Sequence, residues 1–445
     1  MRVVELLVQA VLLQSLNNHL FDYILQMIKK PQWHKLDNAA KIFPPNTDQR
    51  DTKVFRFSCE LYEDIDVVFL QKALERTIQK FPYYCSILKR GLFWYYIENT
   101  ERKPIAHIEN RYPCSPLYYP NRKSLLFDVS YYHKRINLEI HHVLSDGSGA
   151  LLFLRTLVFY YILEKHNDTL SDKHLENTTT AFEKSADSFS KYFKKQKSQK
   201  LKHTPFAYHI KGERIDTGQL GVIEGCVSVK ALLAISKKYQ STITEFLVAL
   251  WIYSIYEGMS IKEQKKPVVI NIPVNLRNYF PSETARNFFQ VIQVSYQFDE
   301  QKSSLENVIC SIKKQFQQKL TKEALQKNMN ALSALEHNIP MKLVPLATKD
   351  YILRFANWIS YQKVTSCISN VGKISMPAEM TQYIRLFDLF VSTKTIQIAT
   401  CSFEDNFVIS IATAYYRNDL PKRFFRHLSD MDLEIEITTN MEQEE

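Results

Sequence analysis

Two adjacent histidines with an aspartate four residues on form the densest set of proton-handling groups in this chain. They are His141, His142, Asp146 and Gly147, in Ile136-Asn-Leu-Glu-Ile-His141-His142-Val-Leu-Ser-Asp146-Gly147-Ser-Gly149. An imidazole titrates near neutrality and can take the proton of an alcohol or amine as that group attacks a carbonyl. Ile136, Leu138 and Ile140 alternate with Asn137 and Glu139, which predicts a strand with one buried row. If the strand runs on, His142 continues the buried row and His141 the outer one, and an apolar helical run starts at Ala150. The spacing therefore puts an inward imidazole at the mouth of a strand-to-helix turn. On residue types alone, a core histidine and an aspartate capping the helix account for the same pattern. Metal ligation is disfavoured, because successive strand residues face opposite sides and the two imidazoles would not converge on one ion.

The elements around this stretch predict a large, packed protein. At 445 residues the chain exceeds one ordinary core, and 45% apolar residues with nine glycines exclude a disordered polymer. Residues 1–32 are expected to form an apolar helical extension. A charge at Glu5 and the lack of a small-residue cleavage site argue against a signal peptide or a transmembrane span. Residues 33–170 form a first lobe, with a strand at Thr52 to Leu61, a helix from Asp64 to Phe81 and further strands at Leu92 to Ile97 and Leu125 to Tyr132. Residues 171–204, polar and lysine-rich, read as a crossover, and 205–445 as the second lobe. That lobe carries a helix from Thr242 to Tyr256, long helices from Ser303 to Leu332 and Lys349 to Ser360, and strands near 267–272, 363–370, 383–391, 395–402 and 407–414. The expected class is α/β, with mixed sheets.

Composition narrows function less. The formal charge of +10 fits any anionic partner. Its lysines and arginines are spread along the chain, and Tyr118-Tyr119 and Tyr131-Tyr132 sit among apolar residues as core would, so a nucleic-acid partner is not expected. Seven cysteines, odd in number and never spaced C-x-x-C, predict a reducing, cytoplasmic setting. Ser145 and Ser148 lie outside any G-x-S-x-G elbow, and Gly147-Ser148-Gly149 lacks the lysine of a phosphate-binding loop.

His141-His142-x-x-x-Asp146-Gly147 resembles the HHxxxDG motif of the CoA-dependent acyltransferase superfamily, which includes chloramphenicol acetyltransferases, condensation domains of nonribosomal peptide synthetases and alcohol acetyltransferases. Pro273-Val-Asn-Leu-Arg277, followed by Asn287-Phe288-Phe289, is similar to a second region of that superfamily, closest to its alcohol acetyltransferase and condensation-like branch. Ser369-Asn370-Val371-Gly372 is similar to a short turn there.

The resemblance implies a chloramphenicol-acetyltransferase-like fold of two lobes, each a two-layer α/β sandwich, with a tunnel between them. Donor thioester and acceptor would meet at His142, the general base. Asp146 would turn away from substrate to pair with Arg277 across the lobes, and His141 would make a structural hydrogen bond. Gly147 would let the chain pass close to substrate, and Asn370 would contact substrate or the oxyanion. The implied reaction moves an acyl group, acetyl being expected, from acyl-CoA as co-substrate to an alcohol or amine, without an acyl-enzyme or a tightly bound cofactor. The alternatives are a condensation-type enzyme with carrier-protein-bound acyl groups, and a non-enzymatic or metal-binding protein on the same fold.

Overall fold

A computed structural model describes residues 33–120, 122–166, 191–192, 205–299, 303–336 and 344–441. The apolar extension expected over 1–32 and nearly all of the crossover over 171–204 lie outside these residues.

The first lobe runs through β1 (Trp33–Lys35), β2 (Val54–Leu61), α1 (Val67–Lys80), β3 (Ser86–Arg90), β4 (Tyr95–Asn99), β5 (His107–Ile108), β6 (Phe127–Tyr132), β7 (Arg135–His141) and α2 (Gly147–Lys165). The second holds β8 (Gly221–Ser228), α3 (Val229–Lys238), α4 (Ile243–Tyr256), β9 (Val268–Asn275), β10 (Phe289–Tyr296), α5 (Leu305–Lys319), α6 (Lys322–Glu336), α7 (Leu346–Tyr361), β11 (Ser366–Ile374), α8 (Ala378–Thr381), β12 (Ile384–Val391), β13 (Ile396–Phe403), β14 (Asn406–Thr413), α9 (Asp419–Ser429) and β15 (Glu436–Thr439). The fold is α/β with mixed sheets and two lobes.

One sheet has the order β12-β2-β7-β6-β5, and a seven-stranded one the order β10-β9-β11-β13-β14-β8-β15. A small third sheet, β1-β4-β3, completes the first lobe. In the seven-stranded sheet β11 runs parallel to both β9 and β13, and the other neighbours are antiparallel. Among the described residues one large apolar cluster lies around α1, α2 and the five-stranded sheet, another around α4, α5, α9 and the seven-stranded sheet, and a small third one brings Val54 and Phe390 together with Val222 and Ala412.

Strand β12 crosses between the lobes. It comes late in the chain, yet pairs antiparallel with β2 of the first lobe, Phe387 opposite Cys59 and Leu389 opposite Phe57. Its Phe387 and Leu389 belong to the first lobe's core. The physical reason is burial: all but two residues of β12 are buried, because this edge strand of the five-stranded sheet is covered by β13 and β14 of the other sheet.

Helix α2 is apolar around most of its circumference, with Phe153, Leu154, Leu157, Phe159 and Tyr161 all buried. A helix without a polar face belongs inside a core. Among the described residues it alone is long and apolar enough to cross a membrane, and 67% of its most apolar window is buried within the protein. The long helix predicted from Ser303 to Leu332 is two, α5 and α6, broken at Leu320, where the chain leaves helical geometry.

Candidate active site

β7 is the central strand that places the histidines. It pairs with β2 and β6, and it ends at His141, one residue short of His142. The expected outer row is not solvent-facing. Asn137, Glu139 and His141 are all buried, because Arg56 from β2 takes the Glu139 carboxylate at 2.8 Å and the Cys114 N–H donates to it at 2.6 Å. The opposite row, Ile136, Leu138 and Ile140, is fully buried in the apolar core.

His141 is held on both ring nitrogens. Its Nδ1 accepts the Val143 N–H at 3.1 Å, so Nε2 carries the hydrogen and faces Thr47 Oγ1 at 3.2 Å. Burial, with the charges of His142 and Lys53, pushes its pKa down to about 3.

His142 is placed differently. Its ring stacks on Phe43 with centroids 4.9 Å apart, and Phe55 tilts over it at 4.5 Å. The backbone is pinned on both sides: His142 N–H donates to Lys53 O at 2.8 Å, and Asn287 Nδ2 donates to His142 O at 2.9 Å. Nδ1 is buried and makes no hydrogen bond that meets ordinary geometry. Burial chiefly, then the Lys53 charge, lowers the pKa to about 4, offset in part by Asp146 and the Ser145 backbone. The imidazole is therefore neutral at physiological pH.

Asp146 is both helix cap and strut. One oxygen, Oδ1, accepts the Gly149 N–H at 2.9 Å and caps α2; the other, Oδ2, accepts from Arg277 Nη1 at 2.8 Å and from the Phe288 N–H at 2.7 Å. Arg277 in turn donates to Thr284 O at 2.9 Å and Arg286 O at 2.7 Å, and so ties the 284–288 loop of the second lobe to the start of α2. The cap and the ion pair, weighed as alternatives from sequence, coexist because a carboxylate has two oxygens.

Gly147 lines the cavity, and a Cβ there would reach only ordinary contact, 3.9 Å from Phe57. Gly149 is the stricter position. A Cβ on it would lie 2.0 Å from Ala285 O and 2.3 Å from Ser145 Oγ, so only glycine lets the two lobes meet there. Sequence reading gave Gly149 no role; a glycine in the first turn of an otherwise apolar helix, where it costs stability, was the available signal. Ser145 Oγ donates to Ala285 O at 2.5 Å, a second tie across the lobes.

Asn370 sits at a bulge in β11, where Gly372 takes a left-handed φ of +86°. It donates from Nδ2 to Thr244 Oγ1 at 2.7 Å and accepts the Gly372 N–H at 2.8 Å. One of its two amide hydrogens is thus committed to Thr244.

His142, Asp146, Gly147 and Asn370 line one cavity of about 780 Å³ between the lobes. Its wall combines Phe43, Phe55 and Phe57 of the first lobe with Ile272, Val274 and Phe289 of the second. A second cavity of about 710 Å³ touches the first at Cys367 and Gln397. It is more polar and holds three cations: Lys53 pairs with Asp51 and Lys394 with Asp48, both at 2.5 Å, while Arg354 donates from Nε to Pro45 O at 2.8 Å. Among the described residues no group of three or more His, Cys, Asp or Glu side chains is arranged to hold a metal.

Solved structures share this fold. The trichothecene 15-O-acetyltransferase TRI3 from Fusarium sporotrichioides matches with a TM-score of 0.60 at 10% identity, over 90% of this chain and 94% of that one. The F. sporotrichioides protein TRI101, complexed with coenzyme A and T-2, matches with a TM-score of 0.60 at 11% identity, over 91% and 99%. The first condensation domain of the CDA synthetase matches with a TM-score of 0.58 at 13% identity, over 90% and 96%. The chain thus has the two-lobed fold found in acetyltransferases and condensation domains. No protein-family model matches the chain, and no curated protein sequence matches it significantly.

Proposed function

We propose that the protein transfers an acyl group from a thioester to an alcohol or amine, with His142 as general base. One observation carries this: a neutral imidazole, wedged between two phenylalanine rings, lies on the wall of an inter-lobe cavity just ahead of the capped start of α2. With Nδ1 buried, Nε2 is the nitrogen open to substrate. The acceptor oxygen or nitrogen attacks the thioester carbonyl as its proton passes to Nε2. The tetrahedral intermediate then collapses, the carbon–sulfur bond breaks, and the imidazolium returns the proton to the departing thiolate. No covalent acyl-enzyme is needed.

Asp146 and Arg277 do not touch the reacting atoms in this scheme. Engaged with each other and with backbone groups, they hold the two halves of the cavity at fixed separation. The other amide hydrogen of Asn370 is the candidate donor to the oxyanion.

Acyl-CoA is the proposed donor, since one protein of this fold is complexed with coenzyme A. In the second cavity the two lysines are paired and Arg354 is the cation left over for a phosphate; the condensation domain of the same fold keeps carrier-bound donors as the second reading. Thiol release from an acyl-CoA panel, with small alcohols and amines as acceptors and His142→Ala in parallel, tests the proposal. Equal rates with and without the imidazole would refute it, and turnover confined to carrier-bound thioesters would favour the second reading.

A further inference from the structure

The cavity at His142 is far larger than an acetyl group requires, and its wall shows what would fill it. No lysine or arginine is among its described lining residues. Its two carboxylates are already satisfied: Asp146 by Arg277 and two backbone N–H groups, Glu245 by the N–H and hydroxyl of Thr242 at 2.8 and 3.0 Å in the capping box of α4. Nothing in the wall offers an unpaired charge to a phosphate or carboxylate. The neutral polar groups of the wall include Thr244, Asn275, Asn278, Gln317 and Gln397, and beside them runs an apolar surface through Ile272 and Val274 of β9, Leu389 and Val391 of β12, and Phe316 and Leu320 at the end of α5. Along that strip water has few partners, and an apolar ligand displacing it gains free energy with each methylene buried.

Volume sets the size of that ligand. Taking a methylene as about the size of a liquid water, roughly 30 Å³, a sixteen-carbon chain occupies about 480 Å³ and fits within the 780 Å³ available. An acetyl group would fill about a tenth of it. Each methylene moved from water into the cavity is worth up to about a fourfold gain in affinity.

We infer that one substrate of this enzyme carries a long aliphatic chain, of roughly 12–18 carbons, seated between β9, β12 and the end of α5. The inference rests on the acyl-transfer reading for its place in the reaction, though not for the binding itself. The chain belongs either to the acyl group of the donor or to the acceptor alcohol, and the chemistry of the cavity is the same for both.

The experiment uses the full-length protein. Thiol release is measured with acetyl-, octanoyl- and palmitoyl-CoA against a short alcohol, and with acetyl-CoA against ethanol and hexadecanol. A rise in kcat/KM of at least tenfold along the first series places the chain in the donor, and along the second in the acceptor. Separately, binding of a fluorescent polyene fatty acid is measured without any donor. We expect saturable binding, weakened at least tenfold in Leu320→Trp, which fills the α5 end of the cavity.

Turnover that is flat or falling with chain length, together with no saturable binding of the fatty acid, overturns the inference and leaves the transferase reading intact. Fatty-acid binding that responds to Leu320→Trp, with no thioester turned over, supports the inference and defeats the transferase reading. Binding indifferent to Leu320→Trp, with Leu320→Trp shown folded by its melting transition, also overturns the inference.

Discussion

The two histidines are neighbours in sequence with opposite tasks, and each has its own pH signature. His142 stays neutral down to about pH 4, so the base form is present throughout the physiological range. If it is the base, kcat/KM should be flat from pH 8 to about 5 and fall only as pH drops through the region of 4; an acid limb centred near 6.5 would mean that the ring is solvated. His142→Ala should retain its fold and lose on the order of 10²- to 10⁴-fold in rate.

His141 acts on stability instead. Protonation would turn Nδ1 from acceptor into donor against the Val143 N–H, and the ring has no solvent exposure to relieve it. Its folded pKa of about 3 lies below the unfolded value of 6.5, so between these limits the unfolded chain binds the extra proton and stability falls as pH falls. At pH 5 the loss is about 2 kcal/mol, and it is absent above pH 7. Urea midpoints at pH 7 and 5 should therefore differ less in His141→Gln than in the wild type.

At the scale of elements, the junction of β7 with α2 depends on contacts from the other lobe. Arg277→Ala removes the cation from a buried carboxylate and strands the Thr284 and Arg286 carbonyls, which should cost roughly 3–5 kcal/mol in denaturant unfolding. Asp146→Asn keeps the acceptor that caps α2 and loses the ion pair, so it should cost less than Arg277→Ala. Negligible cost in both variants would show that the cap alone matters. Gly149→Ala tests the close approach itself: with Ala285 O 2.0 Å from the added carbon, the lobes must move apart, and both stability and activity should fall.

For the whole molecule, β12 is the element that joins the lobes. Its Asp388 is fully buried, facing Arg135 of β7 at 3.4 Å, while Arg135 also holds Glu60 of β2 at 2.8 Å and Glu224 of β8 at 2.9 Å. Burial and the Asp388 charge push the Glu224 carboxyl up. The folded state then binds a proton that the unfolded chain releases above its ordinary carboxylate value of about 4.3, so this group's contribution to stability is lost as pH rises. Glu224→Gln should raise the urea midpoint at pH 8 and leave it nearly unchanged at pH 4.

Much of this was legible in the sequence where the signal is local. Period-two alternation placed β2, β6 and β7, and the helix α4 follows the predicted Thr242 to Tyr256 to within a residue. The short strand β3 and the helix α3 were missed, the first because Ser86–Arg90 is brief and ends in charge, the second because it follows β8 without a loop. The sequence by itself also determined that an aspartate able to cap a helix stands four residues after a histidine, since both follow from residue type and spacing.

Tertiary structure alone decided the rest. Which histidine faces a cavity depends on Phe43 and Phe55, distant in the chain and brought to the ring by β2 and the loop before it. The placement of β12 in the first lobe's sheet and the clash that reserves Gly149 for glycine both arise from contacts between segments more than a hundred residues apart. Such contacts are set by which surfaces bury each other, and no local periodicity records that.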